Sequence, residues 1–193
     1  MDIKFFLNGI KNIILNPVKA WEIIDSENRP FKVVRDSLFF PLIIMISISA
    51  FTGSLIFVNS KLSAVYSIFV AIKCFGLFYF AIYAAAFIMK EITYPLDLGR
   101  DFNISFRILV FSLTPFLLCQ ILSYLFESLL FVNVIGLYGL YIFWVGVEKM
   151  LNPPQYKKMP LLIASVFVMV VIFAANDLIL TKLIDTIYYA FFI

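Results

Sequence analysis

Long apolar runs with few charges dominate the chain after its first 36 residues. Each run is close to the roughly 20 residues that a helix needs to cross the ~30 Å hydrocarbon core of a bilayer. The five runs cover residues 37–60, 62–89, 105–126, 128–147 and 159–181. They are continuous rather than alternating, so we expect helices and not the strands of a membrane barrel. The predicted fold class is all-α, a polytopic integral membrane protein with five transmembrane helices.

Residues 1–36 follow a different pattern, in which charges interrupt short apolar stretches. Apolar residues recur at helical spacing from Ile3 to Ile14, and Asn16-Pro17 is a pair typical of a helix start. A second short helix would present on one face Val18, Trp21 and Ile24. We expect this cytoplasmic segment to form amphipathic helices that lie in the membrane interface. The alternative is that the same helices pack against the bundle.

Composition supports the assignment to the membrane. Hydrophobic residues make up 63% of the 193 residues, charged residues make up 14%, and the mean hydropathy is +1.02. The chain has no histidine, which excludes His-dependent catalytic triads and zinc sites of the HExxH type. Both cysteines lie in apolar runs, so we expect no disulfide, and we also expect no metal, no cofactor and no enzymatic activity. A net charge of +3 is too balanced for a nucleic-acid-binding protein.

Basic residues are distributed unevenly between the two sides of the predicted bundle. Twelve lie in the N-terminal segment and at the connections after the second and fourth spans, two lie on the opposite side, and Lys73 lies within a span. The positive-inside rule therefore places the N-terminus in the cytoplasm and, with five spans, the C-terminus outside it. Residues 182–193 would form an extracytoplasmic tail. We expect the protein in a cytoplasmic membrane.

Four residues define a candidate intramembrane polar site. Lys73 lies eleven residues from the outer end of the second span, about 16 Å along a helix. A charge in the hydrocarbon core is costly, so the ammonium group must be hydrated or paired. The expected contacts are Gln120, Glu127 and Asp177, with Gln120 favoured by its depth. The site either binds a ligand inside the bundle or is a structural lysine that reaches outward.

Asp97, Arg100 and Asp101 form a second candidate, a cytoplasmic surface on the loop before the third span. They indicate either a partner or cation site, or only a helix start in which Asp101 or Asn103 caps the span. Pro115, inside the third span, lacks a backbone donor and is expected to kink the helix. Transporters use interrupted helices for binding, whereas kinks elsewhere serve packing.

Three short elements resemble the Yip1 family, and its bacterial branch most closely. They are the lead-in from Leu15-Asn16-Pro17 through Trp21 to Ile24, the loop Tyr94-Pro95-Leu96-Asp97-Leu98-Gly99-Arg100-Asp101, and Ser112-Leu113-Thr114-Pro115. The resemblance implies a short cytoplasmic N-terminus, five spans, and a membrane-organising or partner-binding role without a known reaction. Residues 31–36 lack the DLYGP-like signature of eukaryotic relatives, so the association of those relatives with Rab GTPases is not carried over.

The sequence therefore favours a non-enzymatic, Yip1-like membrane protein that acts through partner binding or membrane organisation. The alternative is a small transporter or channel component that uses Lys73 and the Pro115 kink. Expected partners are the lipid bilayer and either another membrane protein or a second copy. Pairs of small residues, Ser49/Gly53 and Ala81/Ala85, would allow close helix contacts within the chain or between copies. A polar cavity reaching Lys73 would favour transport, and a dry bundle with an exposed groove would favour binding.

Overall fold

The computed structural model describes residues 3–57 and 63–192, except for the side chains of residues 3, 63, 127, 191 and 192. The described residues form no strand. Their main helices are α1 (Ile3–Leu15), α2 (Pro17–Glu27), α3 (Phe31–Phe57), α4 (Ser63–Thr93), α5 (Phe102–Leu125), α6 (Tyr138–Leu151) and α7 (Gln155–Phe192). Five segments are long and apolar enough to cross a membrane: α3, α4, α5, Ser128–Leu151 and α7. The prediction of an all-α protein with five spans is confirmed.

Two of these helices are much longer than a bilayer is thick. α4 has 31 residues and α7 has 38, which correspond to about 45 Å and 55 Å, against ~30 Å of hydrocarbon. α5, with 24 residues, is about 35 Å long. α7 also continues through the segment predicted as a tail, residues 182–193, as far as Phe192. The charges in that segment do not end the helix, because its backbone groups still pair with one another.

The fourth span is interrupted, whereas the sequence favoured one helix over residues 128–147. Its first part, Glu127–Val132, is a 3-10 helix in which Leu129 has φ −97° and ψ 19°. One helical turn, Asn133–Gly136, precedes α6, which has only 14 residues. Hydropathy does not distinguish α-helical from 3-10 backbone, so an apolar run alone cannot predict such an interruption.

Small residues bring the helices together around α5, the central helix of the bundle. A Cβ atom on Gly53 of α3 would lie 1.9 Å from the Tyr124 carbonyl oxygen, and one on Gly139 of α6 would lie 2.5 Å from the Ser112 carbonyl oxygen. Only glycine allows these approaches. The other members of the predicted small-residue pairs, Ser49, Ala81 and Ala85, are also buried within the single chain. In the described structure these residues therefore pack against other parts of the same chain.

The N-terminal helices pack against the bundle through part of the face expected to contact lipid, since Trp21 is buried whereas Val18 is 39% exposed. Trp21 of α2 is fully buried, and its indole N–H donates to the Ile142 carbonyl of α6 with an N···O distance of 3.0 Å. Its ring lies edge-on to Phe111 of α5, with centroids 5.9 Å apart. Gly146 leaves space for the indole, since a Cβ there would lie 2.6 Å from it. An apolar face is satisfied by protein as well as by acyl chains, so the expectation of a purely interfacial segment is corrected for Trp21.

Further contacts fasten this segment along α6. The Tyr138 hydroxyl donates to the Ile14 carbonyl at 3.1 Å, and the Lys149 ammonium group lies 2.7 Å from the Glu22 carboxylate. The hydrogen bond and the charge of Lys149 hold the pKa of Glu22 below its ordinary value. Both polar contacts are exposed, so each contributes little. The buried indole is the main anchor.

Candidate functional site

The intramembrane lysine is paired with an acidic residue of another helix. The Nζ atom of Lys73 in α4 lies 2.8 Å from Oδ1 of Asp177 in α7. The side chains are 26% and 48% exposed, so the described residues enclose the pair only in part. Measured from Lys90 near the other end of α4, Lys73 lies about 25 Å along the helix.

The other proposed members of this site have different environments. The Gln120 amide donates to the Asn133 side-chain oxygen at 3.3 Å, which links α5 to the interrupted part of the fourth span. The side chains of Tyr124 and Cys74 lie close to each other and near the Lys73–Asp177 pair. The side chain of Glu127 lies outside the described part of the structure. The described polar side chains thus form separate pairs and not one shared site.

The three charged residues of the loop before α5 each have a local structural contact. Asp97 has a left-handed backbone with φ 57°, and its carboxylate lies 3.0 Å from Lys157 of α7. The Arg100 guanidinium lies 2.7 Å from the Glu91 carboxylate of α4. Asp101 is the N-cap of α5 and accepts hydrogen bonds from the first backbone N–H groups of that helix. This is the arrangement of the alternative interpretation, in which the loop begins a helix.

Pro115 lies within α5, and the helix continues past it to Leu125. The helix that the structure shows interrupted is the fourth span, and the kink at Pro115 stays a prediction. Beside Pro115, the Ser112 side chain is buried, and its hydroxyl has no hydrogen-bond partner among the described residues. Ser112 lines a cavity of about 320 Å³, which we call the lateral groove. The Pro115 region thus borders a concave surface.

The lateral groove lies between three helices at mid-depth. Its floor belongs to α5, one wall to the start of α6 and the preceding turn, and the other wall to α7. Its lining residues are Leu109, Ser112, Leu113, Phe116, Gly136, Leu137, Gly139, Leu140, Phe143, Val166, Met169, Val170 and Phe173. The groove exists because α7 packs chiefly against α4 and barely touches α6. Lys73 is not among these lining residues.

Sequence reasoning missed two polar residues besides Ser112. Arg107 was counted as a charge at a span boundary, but its side chain is only 4% exposed and donates to the Asn28 side chain at 2.8 Å. A lone charge in the first turns of an apolar helix is a pattern that indicates a buried, paired side chain. Asn133 gave a signal as well, because it is a lone amide within an apolar run, but its pairing with Gln120 depends on the 3-10 interruption.

These features define a class of protein before any comparison is made: a helical integral membrane protein whose described residues hold no cluster of three metal-binding side chains. The model of the Yip1 domain family matches residues 11–176 of the chain, which is most of its length. The chain therefore belongs to the Yip1 family, and the predicted resemblance is confirmed. No curated protein and no solved structure matches it.

Proposed function

We propose that this Yip1-family protein is a non-enzymatic membrane protein that organises the surrounding bilayer by holding a lipid acyl chain in the lateral groove. The observation that carries the proposal is the groove itself, a concave apolar surface of about 320 Å³ within the membrane-spanning helices. This volume is at the lower end of the ~300–1,000 Å³ typical of small-molecule sites. Ser112 lies 11 residues beyond the Asp101 cap, about 16 Å along α5, so the groove opens at the depth of acyl chains.

The dimensions of the groove suit an extended acyl chain. The walls extend from Gly136 to Phe143 on one side and from Val166 to Phe173 on the other, about 10 Å in each case. The lining between them is apolar except for Ser112, so a chain that enters the groove contacts apolar side chains along this length.

Fewer observations support the alternative function, that of a transporter or channel component. The Lys73 charge already has a carboxylate partner at 2.8 Å, so it needs no bound anion for neutralisation. The lateral groove does not include Lys73, and its lining is apolar except for Ser112. A groove of this kind suits a lipid chain better than a hydrated solute.

Lipid retention tests the proposal with a matched pair of variants. Val170 and Val171 are adjacent on α7 and are 61% and 49% exposed, but only Val170 lines the groove. We expect Val170→Trp to fill the groove and to lower the amount of lipid that co-purifies with the chain by about one molecule, as measured by native mass spectrometry. Val171→Trp should retain it. Equal retention in both variants would contradict the proposal.

A second arm separates an acyl chain from a polar ligand. An acyl chain gives the Ser112 hydroxyl no hydrogen-bond partner, so Ser112→Ala should leave lipid retention unchanged. Loss of the bound molecule in Ser112→Ala would show that the occupant is recognised by a polar group at mid-depth. That outcome, in a Ser112→Ala variant that still folds, would overturn the assignment of an acyl chain.

We also propose that the N-terminus is cytoplasmic, the C-terminus extracytoplasmic, and the protein resident in a bacterial cytoplasmic membrane. The bias of twelve basic residues to two supports this orientation. Ion pairs between Lys157 and Asp97 and between Lys149 and Glu22 join the segments of the basic side to one another. A reporter that matures only outside the cytoplasm should be active after Ile193 and silent before Met1. The reverse pattern would contradict the orientation.

A further inference from the structure

A second cavity, of about 290 Å³, lies between the N-terminal helices α1 and α2. We call it the N-terminal pocket. Lys4, Asn8 and Asn12 line one side of it. These residues are four positions apart, so they share one face of α1. The floor is apolar and includes Ala20 and Phe111. The pocket therefore combines a stripe of hydrogen-bond donors with an apolar floor.

One end of the pocket is basic. Arg29 lines it, with its guanidinium 4.3 Å from the centre of the Phe5 ring and 2.7 Å from the Glu27 carboxylate. Lys4 has no carboxylate within ion-pair distance among the described residues. The charged lining residues Lys4, Arg29 and Glu27 leave a surplus of one positive charge. The pocket thus has the charge of a site for a monovalent anion.

A buried arginine, Arg107, adds positive charge near the pocket without lining it. Arg107 donates one guanidinium N–H to Asn28, the residue between Glu27 and Arg29, and its Nε has no partner among the described residues. Arg107 also lies one helical turn before Phe111, which belongs to the floor. Among the described residues Arg107 makes no direct ion pair, and the charges of Asp101 and Asp25 act on it only from a distance. An anion in the pocket would add to that stabilisation.

The apolar surroundings indicate where such an anion would come from. On the same two helices, large apolar side chains are exposed in the single chain: Leu7, Leu15, Val18 and Ile23. Helices that expose apolar side chains beside lysines bind at the level of lipid headgroups. The phosphate of a phospholipid would be at this level, whereas a free phosphate ion would leave these side chains in water.

We infer that the N-terminal pocket binds the phosphate group of an anionic phospholipid, with Lys4 and Arg29 supplying charge and Asn8 and Asn12 supplying amide donors. This inference goes beyond the proposed function, because it concerns a different surface and does not require the lateral groove. Loss of headgroup binding with retained acyl-chain binding, or the reverse, distinguishes the failure of one from the failure of the other.

The test compares two lysines of the same helix in the full-length protein. Lys4 lines the pocket, whereas Lys11, also exposed on α1, does not. In nanodiscs of phosphatidylcholine containing increasing amounts of phosphatidylglycerol, the measured quantity is the enrichment of phosphatidylglycerol bound to the protein. We expect Lys4→Gln to lower the apparent affinity about fivefold, the contribution of one lysine held close to an anionic headgroup. Lys11→Gln should lower it less than twofold, because Lys11 lies outside the pocket.

A filling variant provides an independent readout. Asn8→Trp should block the pocket and abolish the preference for phosphatidylglycerol, whereas Leu7→Trp, outside the lining, should preserve it. Equal losses in Lys4→Gln and Lys11→Gln would show only general surface attraction and would overturn the inference. So would equal binding of phosphatidylcholine and phosphatidylglycerol, or competition by millimolar glycerol phosphate, which would identify a site for a soluble anion.

Discussion

Replacing Trp21 with alanine is the most informative perturbation of the N-terminal segment. The indole is fully buried between α2, α5 and α6, and it donates a hydrogen bond to Ile142. Truncating a buried tryptophan to alanine costs about 3–5 kcal/mol. About 1 kcal/mol of this belongs to the hydrogen bond. Because the ion pair between Glu22 of α2 and Lys149 of α6 is exposed and weak, we expect this loss to fall on the docking of α2.

Hydrogen exchange of the α2 backbone measures this effect directly. At about 1.4 kcal/mol per tenfold change, a loss of about 3–5 kcal/mol speeds local opening by roughly two to four orders of magnitude. The amides of residues 20–27 should therefore exchange much faster in Trp21→Ala, while those of α5 stay protected. Val18→Ala, at a residue of the same helix that is 39% exposed, should change the opening free energy by less than about 0.5 kcal/mol. Unchanged protection of residues 20–27 in Trp21→Ala would refute the claim that the indole anchors the segment.

Two further predictions concern single contacts. Lys73→Met leaves the Asp177 carboxylate without its partner, so it should lower the thermal stability of the detergent-solubilised protein. Adding Asp177→Asn should restore that stability. A double variant as unstable as the single one would contradict the ion pair. Gly146→Ala places a Cβ 2.6 Å from the indole of Trp21 and should loosen α2 by about 1–3 kcal/mol, as measured by hydrogen exchange. In a Trp21→Leu background the same change should be nearly neutral, and an equal effect in both backgrounds would exclude the clash.

The five spans were predictable because hydrocarbon leaves the backbone only one local solution over about 20 apolar residues. The residues at which the helices end were less predictable. Charges such as Lys182 suggested an end, but a helix continues past an exposed charge at little cost, as α7 does. The interruption before α6 depends on backbone geometry at Leu129, which leaves no hydropathy signal.

The polar contacts were only partly accessible to sequence reasoning. Asp177 was among three expected contacts of Lys73, but depth alone favoured Gln120, because the lengths of α4 and α7 beyond the bilayer were unknown. The position of Trp21 was ambiguous for another reason: an apolar helix face has the same spacing whether it contacts acyl chains or protein. The lateral groove was not predictable, since it arises from the separation of α6 and α7.

Photochemical labelling from within the bilayer tests the central claim most directly. The probe is a phospholipid with a photoreactive group in the middle of one acyl chain, added at low and increasing mole fraction to membranes that contain the full-length protein. If the groove holds an acyl chain, labelling should saturate early and concentrate in residues 136–143 and 166–173, and Val170→Trp should abolish it there. Other exposed apolar positions, such as Ile48 of α3 and Leu183 of α7, should label weakly and without saturation. Uniform, unsaturable labelling of all these surfaces would contradict the account.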